Sequence, residues 1–518
     1  MAEKLDNIIK GNVITVANQK PRAEAIGIKG EKIVAVGSLV EVGAYADENT
    51  RVLDLRGKTI LPGFMDSHAH PMGTAKNLQG VDLSSVTTIL EAVQKIRERV
   101  NKTPEGKLVF CPDYNRLQVA EKRFPTRKEL DAISSKHPIY IQHFDGHFHM
   151  VNSPALTILG FTSGMEGVET DAAGELTGMI SDPASAWPLR SGDTYSNEDD
   201  FMEALILVTN MAASVGITTL FAKEGLENAQ LIMKNIEKLP VRIHPMAVWH
   251  PPDDINKIAQ AEFLGNRKCI AAVADGSGSG HTAAMFEPYT NDPDTLGMLY
   301  YTDAEMYDFV EKAHQAGLQI SIHAESDRSI EQVLRTYEKV LKKYPCEDHR
   351  HRIEHFEFPA WHQLRYAARL GVALAMQPMF TVVCGGPGLD YYRTYLGDER
   401  VKRTQPFRSI LNEGILVGGG SDTPVTRMNP LGGISSLVNH PNEAQRIELW
   451  EAIEMFTINN AKIGFEEEIK GSIEEGKLAD FVVLSDDPYH TPRERIGDIK
   501  VEMTIVGGRI TFNSNPSS

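Results

Sequence analysis

The chain has 518 residues, 42% hydrophobic and 24% charged, enough for a large core and roughly two to four domains by length. Its 53 basic and 70 acidic residues leave a formal net charge of −17, which argues against nucleic acid or an anionic membrane as the main partner. Cys111, Cys269, Cys346 and Cys384 are scattered with no Cys-x-x-Cys, so neither a disulfide framework nor a structural zinc module is expected. The first residues lack a basic stretch followed by an apolar core, and the longest apolar run, 370–383, is broken by Gln377 and Pro378. A soluble, cytoplasmic protein acting on a small molecule is the expectation.

In chain order, residues 7–15, 23–36 and 52–55 alternate Ile and Val around glycine turns and read as strands. Next comes Leu61-Pro62-Gly63-Phe64-Met65-Asp66-Ser67-His68-Ala69-His70. We read a strand over 60–65 that delivers His68 and His70. Residues i and i+2 of a strand share a face, so the two imidazoles project together as half of a metal site. About 150 residues then pass before the next strand of this type, too many for a structureless loop. The stretch carries strand patterns of its own at 107–111 and 138–142, and is read as a folded insertion over about 75–200 covering a barrel mouth.

A repeated unit comes next: helix, glycine stop, short apolar strand, polar residue. It runs 201–214, Gly216, 217–221 and Lys223; then 303–315, Gly317, 318–322 and His323; then 361–370, Gly371 and 372–376; then 408–412, Gly414, 415–417 and Asp422. Repeated units of this kind predict a parallel sheet covered by helices. Polar residues at successive strand ends predict a (β/α)8 TIM-like barrel, and no Gly-x-Gly-x-x-Gly supports an open doubly wound sheet. The eight strands are placed at 60–65, 218–221, 242–248, 270–274, 319–322, 352–353 and the residues just after, 372–376 and 415–418. Residues 480–484 and 500–512, with their Gly507-Gly508 turn, return to the style of the N-terminus. Both ends are therefore assigned to one small β-sandwich domain: residues 1–58 and 469–518 flank a barrel at 59–468.

The strand ends collect His68, His70, His323, His355 and Asp422. Imidazole nitrogens with a carboxylate suit Zn2+ or a similar divalent ion. Such an ion lowers the pKa of bound water from 15.7 to about 7. Asp422 could accept the water's proton and return it to a leaving group, chemistry fit to hydrolyse an amide-like C–N bond.

The chain resembles the amidohydrolase superfamily, and within it the amidohydrolase-3 or YtcJ-like branch with its N-substituted formamide deformylase-like enzymes. The resemblance runs through 61–70, Phe144-Asp145-Gly146-His147, 151–156, Ala274-Asp275-Gly276-Ser277, Arg352-Ile353-Glu354-His355, Ser421-Asp422-Thr423-Pro424-Val425, Asn429-Pro430-Leu431 and 471–480. It implies His68 and His70 as ligands of the more buried metal, with Asp422 as its ligand and the catalytic base. His323 and His355 match the positions that bind a second metal in two-metal members. One departure matters. Where the branch often has a metal-bridging carboxylated lysine on strand four, this chain has Ala271, and Lys268 sits at an offset for the other strand face. Lys223 is the substitute candidate, either as a carbamate ligand or as an ordinary barrel ion pair with Glu224 or another acid. One ion or two is left open.

Substrate contacts are assigned to His147, Tyr114, Arg328 and Gln377, with Asn115, His143, His149, Trp249, His250 and His281 as further pocket candidates. Asp275 is expected to organise the strand-four loop. Three alternatives stand beside the amide hydrolase: a deaminase of the same superfamily, an ester or lactone hydrolase, and a non-catalytic metal-binding regulatory protein. Deaminases of the superfamily carry Glu three residues after the strand-five histidine, where this chain has Ser326 and, one position earlier, Glu325. A homodimer is expected by analogy.

Overall fold

The computed structural model describes residues 4–116, 118–144, 146–181, 184, 198–249, 255–264 and 268–515. His250 and Asp145 lie outside them. The central unit is an eight-stranded, all-parallel sheet. Its strands are Phe64–Ala69, Ile217–Glu224, Arg242–Val248, Cys269–Val273, Gln319–Ser326, Arg352–Phe358, Ala373–Met376 and Val417–Gly419. The second, fifth and sixth are buried along almost their whole length, as expected when helices cover one side of a parallel sheet and packed side chains fill the other. The expected barrel is present.

The first barrel strand begins later than predicted. Residues Arg51–Pro62 form a long strand of a different sheet, pairing antiparallel with Phe481–Leu484. Only Gly63 separates that strand from the barrel. A Cβ at Gly63 would lie 2.2 Å from the Thr218 side chain, so the passage between sheets requires glycine. The terminal sheet has seven strands, four from the N-terminal end and three from the C-terminal end. It folds over on itself: Ile33 and Val36 from one edge share a buried cluster with Phe481, Met503 and Ile505 from the other side. One curled sheet thus supplies the two layers expected of a sandwich.

Among the described residues the insertion carries five strands: Val109–Tyr114, Ile139–His143, Phe148–Val151, Val168–Thr170 and Leu176–Ser181. Its sheet has a core on each face, one around Tyr114, Phe124 and Leu130 and the other around Phe110, Tyr140 and Phe161. No helix among them is long and apolar enough to cross a membrane.

At the end of the barrel where the strands begin, three histidines form a ladder. His351 Nδ1 accepts from the Ile320 N–H (3.2 Å), so its Nε2–H donates to His314 Nδ1 (2.8 Å). His314 Nε2 then donates to the Tyr344 carbonyl (2.9 Å). His349 Nδ1 accepts from the His351 N–H (2.9 Å) and its Nε2 donates to Leu370 O (2.8 Å). Every nitrogen is satisfied only while all three rings are neutral. Burial pushes the pKa of both His349 and His351 down. The unfolded chain therefore binds more protons as pH falls through about 6.5, and stability is lost below that point. Melting temperature measured from about pH 8 to about pH 5 should fall more steeply for the wild type than for His351→Asn, which removes up to about 1.4 kcal/mol per pH unit of this linkage. Equal slopes would count against the ladder.

Candidate metal centre

The first and eighth barrel strands meet at a seam that a hydrogen-bonded ladder only partly closes. The Asp422 N–H donates to the His68 carbonyl (2.8 Å) and the His70 N–H to the Thr423 carbonyl (2.9 Å). Asp66 reaches across to accept from the Ser421 N–H (2.9 Å) and hydroxyl (2.6 Å). Asn460 donates to both Met65 O (2.7 Å) and Gly419 O (2.8 Å). Asp66 is fully enclosed, and burial lifts its pKa to about 6 against these donors. Gly420 permits the close approach, since a Cβ there would lie 2.8 Å from the His68 nitrogen.

This seam assembles three donors. His68 Nε2 and His70 Nε2 lie 3.3 Å apart, and Asp422 Oδ1 is 3.1 and 3.2 Å from them. They form the group among the described residues whose spacing could hold a metal ion. Asp422 itself has φ +55°, a strained conformation for a non-glycine residue that aims its carboxylate into the cluster. Burial opposes ionisation of Asp422, but His68 and His70 outweigh it and hold the carboxyl well below the usual range. For His68, burial and Lys223 disfavour the imidazolium, while Asp422 and Glu354 together raise its pKa. His70 goes the other way, lowered chiefly by burial.

His355 and His323 complete the rim. The His355 ring lies 4.9 Å from that of His68 and 4.3 Å from that of His323. Strand alternation alone would point His355 away from the side to which Glu354 points. His355 and Phe356 instead have φ of +71° and +50°, and the register with the fifth strand shifts just beyond them. This bulge turns His355 into the mouth as well. Its Nδ1 is buried without a hydrogen-bond partner. His323 turns Nε2 toward the Gly276 carbonyl (3.1 Å) and Asp275 (3.5 Å). Burial depresses its pKa to about 3, so the ring is neutral. Two facing imidazoles, a carboxylate and an orphaned nitrogen match the donor chemistry of a divalent-metal site.

Lys223 ends the second strand beneath the cluster, buried, with Nζ 3.3 Å from Glu354 Oε2. Its ion pair is with Glu354. Glu224 instead accepts from the Met72 N–H (2.8 Å). Asp275 is a loop organiser as expected, accepting from the Ala284 and Glu325 N–H groups and from the Ser326 and Ser329 hydroxyls. Glu325 accepts from the Gly278 N–H, while Glu357, tied to Tyr392 and Gln405, is pushed by burial up to about 7.

The sequence profile of the amidohydrolase family matches residues 51–512. The chain belongs to the amidohydrolase family. It is 28% identical to YtcJ of Bacillus subtilis (strain 168) over 98% of this chain and 99% of that protein. It is 26% identical to N-substituted formamide deformylase of Arthrobacter pascens over 98% of each chain. In fold it is similar to an uncharacterized metal-dependent hydrolase from Pyrococcus horikoshii OT3, with a TM-score of 0.78 and 23% identity over 94% of this chain and 99% of that one.

Within this amidohydrolase the predicted substrate contacts are dispersed. His147 lies close enough to depress the His323 imidazolium electrostatically. Gln377 follows the seventh strand, fully buried, with Oε1 lacking a donor. Arg328 is half-buried in the first turn of the helix after the fifth strand. Tyr114 packs against Phe124 inside the insertion and gives its hydroxyl to the Arg123 carbonyl (2.7 Å). His143 and His149 are buried among insertion aromatics, Trp249 stacks on Phe309, and His281 sits against Tyr289. Sequence reasoning missed Asp66, Glu354 and Asn460. The acid of Arg352-Ile353-Glu354-His355 was the available signal, since an acid in a buried strand needs a partner. Gly420→Ala should cost about 1–3 kcal/mol of stability by overpacking and lower the metal content of the purified protein. Unchanged denaturant stability and metal content would show the seam to be looser than described.

Proposed function

We propose that this amidohydrolase is a metal-dependent hydrolase cleaving an amide-like, non-peptide C–N bond of a small molecule. The convergence of His68, His70 and Asp422 at one barrel seam is the observation that supports it. These three residues would hold a divalent ion, zinc by the softness of the donor set. When bound, that ion supplies Lewis acidity toward water and a substrate carbonyl. Asp422, kept ionised by its histidine neighbours, accepts the proton of the attacking water and delivers it to the leaving nitrogen. His323 and His355, both held neutral by burial, orient the carbonyl and water from the opposite rim, and His147 closes the mouth over them. With Lys223 paired to Glu354, the reading takes one ion per chain, with Lys223 as an ammonium and not a carbamate. The likeness to N-substituted formamide deformylase makes N-formyl compounds the first substrates to try, and a cytoplasmic homodimer is the working form.

Chelator dialysis should abolish turnover of a panel of N-formyl, N-acyl and cyclic amides, and zinc should restore it. Asp422→Asn should lower kcat by about 10²–10⁴-fold with the fold intact by circular dichroism. Turnover unaffected by either treatment would refute the reading, and activity confined to esters, lactones or exocyclic amines would replace it. Elemental analysis should return one ion per chain; two would favour a bridging, carboxylated Lys223.

A further inference from the structure

Glu354 is the hub beneath the metal cluster. It is wholly buried, and four groups converge on its two oxygens. Oε2 lies 2.6 Å from His68 Nδ1, 3.1 Å from Arg352 Nη2 and 3.3 Å from Lys223 Nζ. Oε1 accepts from the Ser321 hydroxyl (2.7 Å) and from Arg352 Nε. Arg352 in turn donates to the Ser67 carbonyl (2.6 Å), one residue before His68. A buried carboxylate persists only when its lone pairs are met by donors and cations, and here they are.

The consequence falls on His68. An ionised carboxylate can only accept, so at 2.6 Å the Nδ1 of His68 must carry the proton. The Nε2 lone pair then faces His70 and Asp422, the tautomer a metal ligand needs. We infer that Glu354 is a positioning residue of the metal centre: it fixes the tautomer and ring direction of His68 and thereby sets the affinity for the ion. This rests on the metal-centre reading above. The competing role is purely structural, with Glu354 serving only to neutralise Arg352 and Lys223 inside the barrel.

Glu354→Gln separates the two. Arg352 would hold the amide oxygen, so the amide nitrogen would face His68 and require a lone pair on Nδ1, leaving a proton on Nε2 where the ion should bind. The variant, if folded by circular dichroism, should bind zinc about 10–100-fold more weakly in competition with a chromogenic chelator, and its cobalt(II) form should have an altered visible spectrum. Ser321→Ala, which removes one bond to Glu354 but leaves His68 held, should change affinity by less than about threefold. A folded Glu354→Gln protein with wild-type zinc affinity and cobalt spectrum overturns the inference. A second measurement needs no variant. In zinc-loaded, 15N-histidine-labelled wild type, His68 should be metallated at Nε2 and carry a slowly exchanging Nδ1 proton; metallation at Nδ1, or a rapidly exchanging proton, overturns the inference whatever the variant does. A wild-type protein that binds no zinc would overturn the metal-centre reading itself.

Discussion

Barrel closure is the constraint on which the rest depends. Seven of the eight junctions between barrel strands are parallel backbone ladders. The eighth, between Phe64–Ala69 and Val417–Gly419, is held largely by side chains: Asp66 on Ser421 and Asn460 on two carbonyls. Side-chain bonds at a seam fix a separation and an angle that a ladder alone would leave to sheet twist. The two imidazoles come from one side of that seam and the carboxylate from the other. The geometry that completes the barrel is therefore the geometry that completes the donor set. Gly63 and Gly420 serve the same end by removing side chains where backbones must nearly touch.

Much of this was legible in the chain. Helix, glycine and strand repeat because parallel strands need crossover helices, and seven of the eight barrel strands fall close to the places the repeat assigns. The first is misplaced because a strand of the terminal sheet runs into it with only Gly63 between, and alternation does not say which sheet a strand joins. His68, His70 and Asp422 were readable because strand ends in such barrels point into one mouth. The partners of the buried charges were not. Periodicity gives the face of Glu354 and Lys223 but not which opposite charge lies across the barrel, and no local pattern announces the left-handed pair at His355 and Phe356. Tyr114 shows the opposite failure: its place in the chain suggested the pocket, while its bulk is spent on the insertion core.

Histidine is used in two opposed ways at the two ends of one barrel. At the strand C-termini the rings converge on a carboxylate and leave nitrogens uncommitted. At the N-terminal end His314, His349 and His351 commit every nitrogen to a backbone group or to one another. The first arrangement needs a cation to be comfortable; the second excludes one. This division accords with the general partition of such barrels into a reactive face and a stabilising face.

The seam also dictates an order of events. Asp66 and Ser421 are 355 residues apart in the chain, and the sheet that receives the first strand is finished only by Val501–Val506 and Arg509–Asn513. Contacts so distant in sequence form late. During synthesis His68 and His70 emerge from the ribosome long before Asp422, as two histidines on an unpaired strand. A nascent chain thus presents a metal-binding pair without the carboxylate that completes it, so capture of a metal ion with productive geometry belongs to the last step of folding.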